Sequence, residues 1–433
     1  MFAGLVAAPV AAVAAGPAVI PGIPDAAVTV AADPDGAGQL YTLTTDVSTY
    51  TTIAMPNDAT LDGAGHTITA VEDADHRNFP GPVLASAVGT DSAPAELDVK
   101  NLDITTQGFE GGSNSGGLLT GISMSRAGGS LVNVSVNGIS HGNGVQEGTA
   151  ISIRNRVAGD NIDVPRAQVS LNDIDVTNFQ KAGLLLDGNL TFTVKNARIG
   201  QGAGPQGQAN PAIAANSLQV SRGASGSVAN STIKLNSHVQ AAGVLLYNAK
   251  NVDFDAVTVS GDAPATSGIY VWNTSHSIDT TFAMRSGQVT RTAAPAAGTG
   301  LVVDGPAGSI AATVTDTKFT GWSSATSGSV TTTTTPTTPA VTKVDVTGTY
   351  RASRPHPRRL RLDLQAFQLG ANQAEGSMLT WAIKVDGHRA VTIRQHAGDT
   401  DGWAQTFRAG TGTHTVQIIK NGVSERTYKI RTR

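Results

Sequence analysis

The chain has 433 residues with a net charge of −3; only 15% of residues are charged and 5% aromatic, while 49 are glycine. There is no cysteine, which excludes disulfides, thiolate metal sites and cysteine nucleophiles. Small and β-branched residues dominate, and no stretch carries the charge pattern of a long amphipathic helix, so short strands joined by many turns are expected.

The first element is an apolar stretch, "MFAGLVAAPVAAVAAGPAVIPG". Pro9, Pro17 and Pro21 spoil it as a spanning helix, while Ala12-Val13-Ala14 fits the small-x-small pattern of a signal-peptidase site. Residues 1–24 are therefore expected to be an export segment that lacks its basic start, and the protein is expected to be secreted, extracellular or at the cell surface. No other stretch is long and apolar enough to cross a bilayer.

From residue 25 to 322 the chain repeats itself. A small residue followed by alternating apolar positions recurs as "GISMS" at 121, "AISIRN" at 150, "GLLLDG" at 183, "AIAANS" at 212, "GVLLYN" at 243, "GIYVWN" at 268 and "GLVVDG" at 300. The anchors Ile122, Ile151, Leu184, Ile213, Val244, Ile269 and Leu301 lie 25 to 33 residues apart. That period is too long for a hairpin and suits one coil of a solenoid. Stacked coils pair each strand with its counterpart about 4.8 Å away, so apolar residues pile into an inward column.

The second half of the unit repeats as well. Asn101, Asn133, Asp173, Asn196, Asn230 and Asp316 each stand three places before a β-branched, aromatic or Ile residue, and Ala256 and Ser286 break the rule. A recurring corner amide that hydrogen-bonds its own image in the next coil explains the preference.

Upstream, "YTLTTDVSTYTTIAMPNDATLDGAGHTITAV" (41–71), and "LDGAGHTI" above all, resembles the opening coils of secreted right-handed parallel β-helix proteins of the pectin-lyase-like superfamily. The resemblance spans roughly residues 39–322 and implies the fold without the reaction. Residues 323–343, "SSATSGSVTTTTTPTTPAVTK", read as a Thr/Ser/Pro linker. Beyond it, 344–433 alternates apolar and polar residues, with Asp386-Gly387 and Asn421-Gly422 placed as tight turns, and is expected to be a small antiparallel β-sandwich, Ig-like in size. This last segment holds 14 Lys and Arg against 7 Asp and Glu, a surplus of seven, which leaves the rest of the chain at −10. A basic tail on an acidic body suits contact with an anionic polymer, and equally a harmless surface bias.

The outward positions of the repeated strand form a shelf of Ser125, Arg154, Asp187, Asn216, Tyr247, Trp272 and Asp304. Aromatic faces stack on pyranose rings while Arg, Asn and Asp bond hydroxyls or carboxylates, so this column is a candidate polysaccharide surface. The plain alternative is an Arg154–Asp187 cross-strand ion pair beside two aromatics covering a loop. Glycoside hydrolysis needs two carboxyls about 5–9.5 Å apart. Asp187 and Asp304 stand four coils apart, roughly 19 Å, so a second acid has to come from a loop. "VEDADHRNF", with Glu72, Asp73, Asp75, His76 and Arg77, is one source, and "SHGNGVQEG", with His141 and Glu147, is another. Arg154, Asp187 and Glu147 are the catalytic candidates. The Asp-Asp and Gly-His-Gly signatures of polygalacturonase-like enzymes are missing from the chain. No cofactor is evident, and calcium stays open with no ligand set in the sequence to support it. The basic run "RASRPHPRRLRLD" (351–363) comes without a nucleic-acid recognition fold, so no nucleic-acid partner is expected. The expected partner is a polysaccharide or cell-wall glycan, and the expected state a monomer. Two functions stay open: a carbohydrate-binding protein with or without lyase or hydrolase activity, and a non-catalytic adhesin or surface module.

Overall fold

The computed structural model describes residues 20–333, except the segments 35–37, 80, 110–118, 142–146, 158–160, 201–215, 236–241, 262–266 and 275–277, and, beyond residue 346, chiefly the backbone of seven strands. The chain divides into two compact units, Met1–Thr335 and Pro336–Arg433.

The first unit is the expected parallel β-helix. One face is a ten-stranded parallel sheet, running from Ile53–Ala54 through Pro82–Ala85, Thr120–Ser125, Thr149–Asn155, Ala182–Gly188, Asn216–Ser221, Ala242–Tyr247, Ser267–Trp272 and Thr299–Asp304 to Ser324–Ser327. The other strands form a nineteen-stranded hydrogen-bonded set that bends at a corner into two further faces. Each coil is a parallel strand–crossover–strand unit, a connection that is right-handed in nearly all proteins. At the N-terminal edge the Val28–Ala32 strand pairs antiparallel with Gln39–Leu43 and so covers the open edge of the stack.

Like stacks on like inside. Ile122, Ile151, Leu184, Leu218, Val244, Ile269 and Leu301 are in register from coil to coil and have no exposed surface. Burial of each such side chain contributes roughly 1.5–3 kcal/mol. One coil departs from the sequence reading. Its strand is Asn216–Ser221, so Leu218 is the anchor, not Ile213, which lies outside the described residues. Both "AIAAN" and "SLQVS" alternate, and the small residue that opens the true strand is Ser217. That opening residue must be small because it faces the core side chain of the adjoining sheet. A Cβ on Gly268 would come within 2.4 Å of Val289 Cγ1, and one on Gly183 within 2.6 Å of Ile199 Cγ2.

The Asn column is explained by backbone conformation more than by an amide ladder. Asn101, Asn133, Asp173, Asn196, Asn230, Ala256, Ser286 and Asp316 all adopt φ between +49° and +56°. Asn and Asp tolerate this left-handed region, which costs other residues roughly 1–2 kcal/mol. Ladder bonds do form, from Asn133 Nδ2 to Asn101 Oδ1 and from Asn101 Nδ2 to Asp62 Oδ1, each 3.1 Å, but Asn196 bonds sideways to Asn172. Ala256 keeps the corner with no amide at all. Ala256→Asn is therefore expected to stabilise the first unit by about 0.5–1 kcal/mol, read as a raised urea midpoint, and Asn133→Ala to lower it by at least as much.

Two boundaries move. Ile20 and Ile23, in the segment assigned to export, are buried at the N-terminal end of the core, while residues 1–19 lie outside the described residues. At the other end the stack runs past residue 322: Ser324–Ser327 pairs with Thr299–Asp304, and Val330–Thr333 with Ile310–Thr315. Threonine is a good strand former, and its low-complexity appearance in the run from Ser323 hid one more coil.

Among the described residues the second unit has seven strands in two antiparallel sheets. Thr347–His356, Arg359–Gln368 and Trp403–Arg408 form one; His388–His396, Met378–Val385, Gly412–Lys420 and Val423–Thr432 form the other in that order. The two expected tight turns fall between Val385↔His388 and Lys420↔Val423, and Asp386 has φ +52°. The fourth strand pairs with the third and not with the fifth, unlike a constant-type Ig domain.

Candidate functional site: an arginine and aromatic shelf

The shelf exists, with one member replaced. Strand register stacks Ser125, Arg154, Asp187, Ser221, Tyr247, Trp272 and Asp304 in one column of the ten-stranded sheet. Asn216 does not belong to it. That residue pairs with Ala182 at the opposite end of its strand and is buried, because the strand begins there. Its Oδ1 accepts the Ala242 amide at 3.3 Å, a structural role.

Asp187 is not a partner of Arg154 in a cross-strand ion pair. Its carboxylate, 1% exposed, accepts from Arg156 Nε at 2.7 Å and from an Arg222 terminal nitrogen at 3.1 Å. Both arginines sit just past strand ends, where the backbone leaves the sheet. The corner after Arg156 is tied down by Asn155, whose Nδ2 donates to Pro165 O at 2.8 Å and to Asn189 O, and by Asn189, whose Nδ2 donates to Val164 O at 2.7 Å. Arg222 is held at its amide by Tyr247 O, 2.9 Å away. Arg154 itself is exposed. Lost hydration around its guanidinium pushes its pKa down, Arg156 and Arg222 add to this, and Asp187 opposes it. Two guanidiniums thus bond one carboxylate, and a third, that of Arg154, stands beside it.

The aromatic part continues from Arg222, whose Cζ lies 5.5 Å from the Tyr247 ring centre. Tyr247 meets Trp272 edge-on at 5.2 Å. Trp272, 38% exposed, lies parallel to Tyr270 with ring centres 5.9 Å apart and planes 5° off. The Tyr270 hydroxyl donates to Asp304 Oδ2 at 2.8 Å. Burial first, and that carboxylate second, push the Tyr270 phenol up to about 12. Tyr270 was missed by the sequence reading, although it stands two places before Trp272 on a strand and so must share its face.

The two loops named as sources of an acid converge on each other instead of on the shelf. His141 has no exposed surface; its Nε2 meets Glu72 Oε1 at 3.0 Å and its Nδ1 meets Glu147 Oε1 at 2.9 Å. The Gln180 side-chain oxygen accepts the His141 amide at 3.1 Å, and Phe109 stacks on the ring at 5.0 Å. Glu147, offered as a catalytic candidate, is buried in this cluster at the far end of the Arg154 strand, where no polymer can reach it. The rest of the first loop stays outside: His76 bonds Asp73 at 3.0 Å and stacks on Tyr50 at 4.0 Å. Lys181, at that same far end, has its amine pushed down to about 8 by burial.

A concavity of about 480 Å³ lies elsewhere, along the positive-φ corner, where Asn101, Asn133, Asp173, Asp175 and Arg198 line it. It has no aromatic face, and Asp175 is already engaged by Arg198 at 2.9 Å. Among the described residues no group of three or more His, Asp and Glu side chains is placed to hold a metal ion, and no helix is long and apolar enough to cross a membrane.

No family profile matches the chain, and no curated protein does. Among solved structures it is similar to the siphovirus 9NA tailspike receptor-binding domain, with 12% identity, TM-score 0.33, and 90% of this chain and 74% of that one covered. It is likewise similar to the A-module of the mannuronan C-5 epimerase AlgE6 of Azotobacter vinelandii (12%, 0.27, 68% and 88%) and to the gp42 tailspike of Acinetobacter phage vb_AbaP_AS12 (10%, 0.32, 91% and 76%). Scores and identities this low carry no argument about what the chain binds. The class its own geometry defines is a parallel β-helix protein with a second unit of two antiparallel sheets.

Proposed function

We propose that this is an exported polysaccharide-binding protein that lays a glycan along the outward face of its ten-stranded sheet. One observation carries the reading: Arg156, Asp187, Arg222, Tyr247, Trp272, Tyr270 and Asp304 form an unbroken run of side-chain contacts across successive coils. An aromatic platform flanked by hydrogen-bonding groups suits a pyranose, whose faces are apolar and whose edges carry hydroxyls.

Binding is favoured over cleavage by the state of the polar groups. Asp187 is clamped by two arginines and is buried, so its oxygens are not open to a ligand. Asp304 stands four strand steps away, roughly 19 Å, far beyond the separation a glycosidase pair requires. The Tyr270 phenol, at about 12, stays protonated at neutral pH and donates rather than abstracts. Export rests on the apolar N-terminal segment with its Ala12-Val13-Ala14 sequence.

Replacing Tyr247 and Trp272 together by Ala is the test. Loss of two central aromatic contacts is expected to cost at least about 2 kcal/mol, roughly 30-fold in affinity. Affinity electrophoresis through gels containing acidic polysaccharides reads this as lost retardation, with an unchanged far-ultraviolet circular dichroism spectrum. Retardation that persists in the folded double variant removes the shelf as the binding surface.

A further inference from the structure

The shelf is not uniform in charge. At one end, Arg154 is exposed beside Asp187, whose carboxylate is already engaged by Arg156 and Arg222. In the middle, Tyr247, Tyr270 and Trp272 present rings and no charge. At the other end stands Asp304, exposed and anionic, with the Tyr270 hydroxyl as its donor. Register places Arg154 and Asp304 five strands apart, ~24 Å at the usual spacing. The screening length at physiological salt is about 8 Å, so the arginine cluster does not neutralise a charge held near Asp304. A polymer with a carboxylate on every sugar would set one against Asp304 and another over the Tyr270 and Trp272 rings, which lie beyond the Arg222 guanidinium that meets Tyr247. Like-charge contact of this kind selects against a partner.

Resting on the polysaccharide-binding reading above, we infer that the ligand is a charge-patterned heteroglycan, with an acidic sugar at Arg154 and uncharged sugars over Tyr247, Tyr270 and Trp272, rather than a homopolyuronate. Arg154 reads the acid, because its guanidinium is the exposed one of the three and can engage a carboxylate or sulfate oxygen with two parallel donors. Asp304 acts as the excluding residue. It accepts from a sugar hydroxyl and rejects an anion.

The experiment titrates the full chain by calorimetry with two pairs of oligosaccharides of equal length. The first pair is oligogalacturonide, fully charged or about half methyl-esterified. The second is gellan oligosaccharide, whose uronates are separated by neutral sugars, either native or carboxyl-reduced. Native gellan and half-esterified galacturonide are expected to bind at least about tenfold more tightly than the fully charged or fully reduced partners. Asp304→Asn, which keeps an acceptor for the Tyr270 hydroxyl, is expected to tighten the fully charged oligogalacturonide about threefold or more, and Arg154→Gln to abolish the preference for native over reduced gellan. If the fully charged oligogalacturonide binds as tightly as its esterified form and Asp304→Asn changes nothing, while the Tyr247, Trp272 double variant loses all binding, the charge pattern is overturned and the binding surface stands. If none of the four oligosaccharides binds, both fall together.

Discussion

Asp187→Ala is expected to destabilise the coils around it by about 3–5 kcal/mol, the usual cost of removing one partner from a buried ion pair. The carboxylate is 1% exposed and bonds two guanidiniums at 2.7 and 3.1 Å, so its removal takes from Arg156 and Arg222 the anion that holds them together and from Arg154 the nearby charge that favours its cation. Because a stacked solenoid unfolds coil by coil, the loss is best read as faster hydrogen exchange in Thr149–Asn155, Ala182–Gly188 and Asn216–Ser221, with strands nearer the ends unaffected. Asp187→Asn separates structure from charge. The amide oxygen still accepts from one arginine, so part of the stability returns, while the cluster gains one positive unit. Association with an anionic glycan is then expected to become faster at low salt, and this gain should vanish as salt rises. Wild-type exchange rates in Asp187→Ala would show that the carboxylate does not hold the cluster together.

How much of this was legible in the sequence depends on whether a residue sits in a strand or at a corner. Strand positions follow the stacking rule, so Arg154, Asp187, Tyr247, Trp272 and Asp304 could be lined up from the repeat alone. The rule failed where it met an ambiguous alternation: "NPAIAANSLQVS" contains two possible strands, and only the packing of Ser217 against the next sheet selects the second. Asn216 was lost and Ser221 gained by that one choice. Arg156 and Arg222 were invisible for a different reason. They lie beyond strand ends, where corner length varies between coils, and reach Asp187 across 31 and 35 residues of sequence. The Asn column was visible as a pattern, but its cause was not. Identical spacing suits an amide ladder and a left-handed backbone equally, and only Ala256 and Ser286, which keep φ near +52° without an amide, show that the backbone governs.

The buried His141 cluster is expected to make the N-terminal coils lose stability as pH rises above the ordinary histidine range. Burial alone would lower the His141 pKa; hydrogen bonds to Glu147 and Glu72, and their charges, outweigh it and hold the imidazolium above its ordinary value. With both ring nitrogens donating to carboxylates, the charged form is the one the fold requires. A raised folded-state pKa stabilises in full below the unfolded value of about 6.5, and that stability disappears as pH rises through the folded-state value. Among the described residues, the groups facing the ring are Glu72, Glu147, the Gln180 side-chain oxygen near the His141 amide, and the uncharged face of Phe109. Glu147→Ala is expected to cost about 3–5 kcal/mol by leaving the imidazolium with a single buried partner. Glu147→Gln preserves the shape and removes one charge, so it is expected to lose less stability and to move the transition to lower pH. Hydrogen-exchange protection in Thr67–Val71, Pro82–Ala85 and Thr120–Ser125, corrected for the intrinsic pH dependence of amide exchange and followed upward from about pH 6, gives the direct measurement. Protection that does not change with pH in the wild type, or a transition that stays in place in Glu147→Gln, would mean that loss of the His141 proton does not govern the stability of these coils.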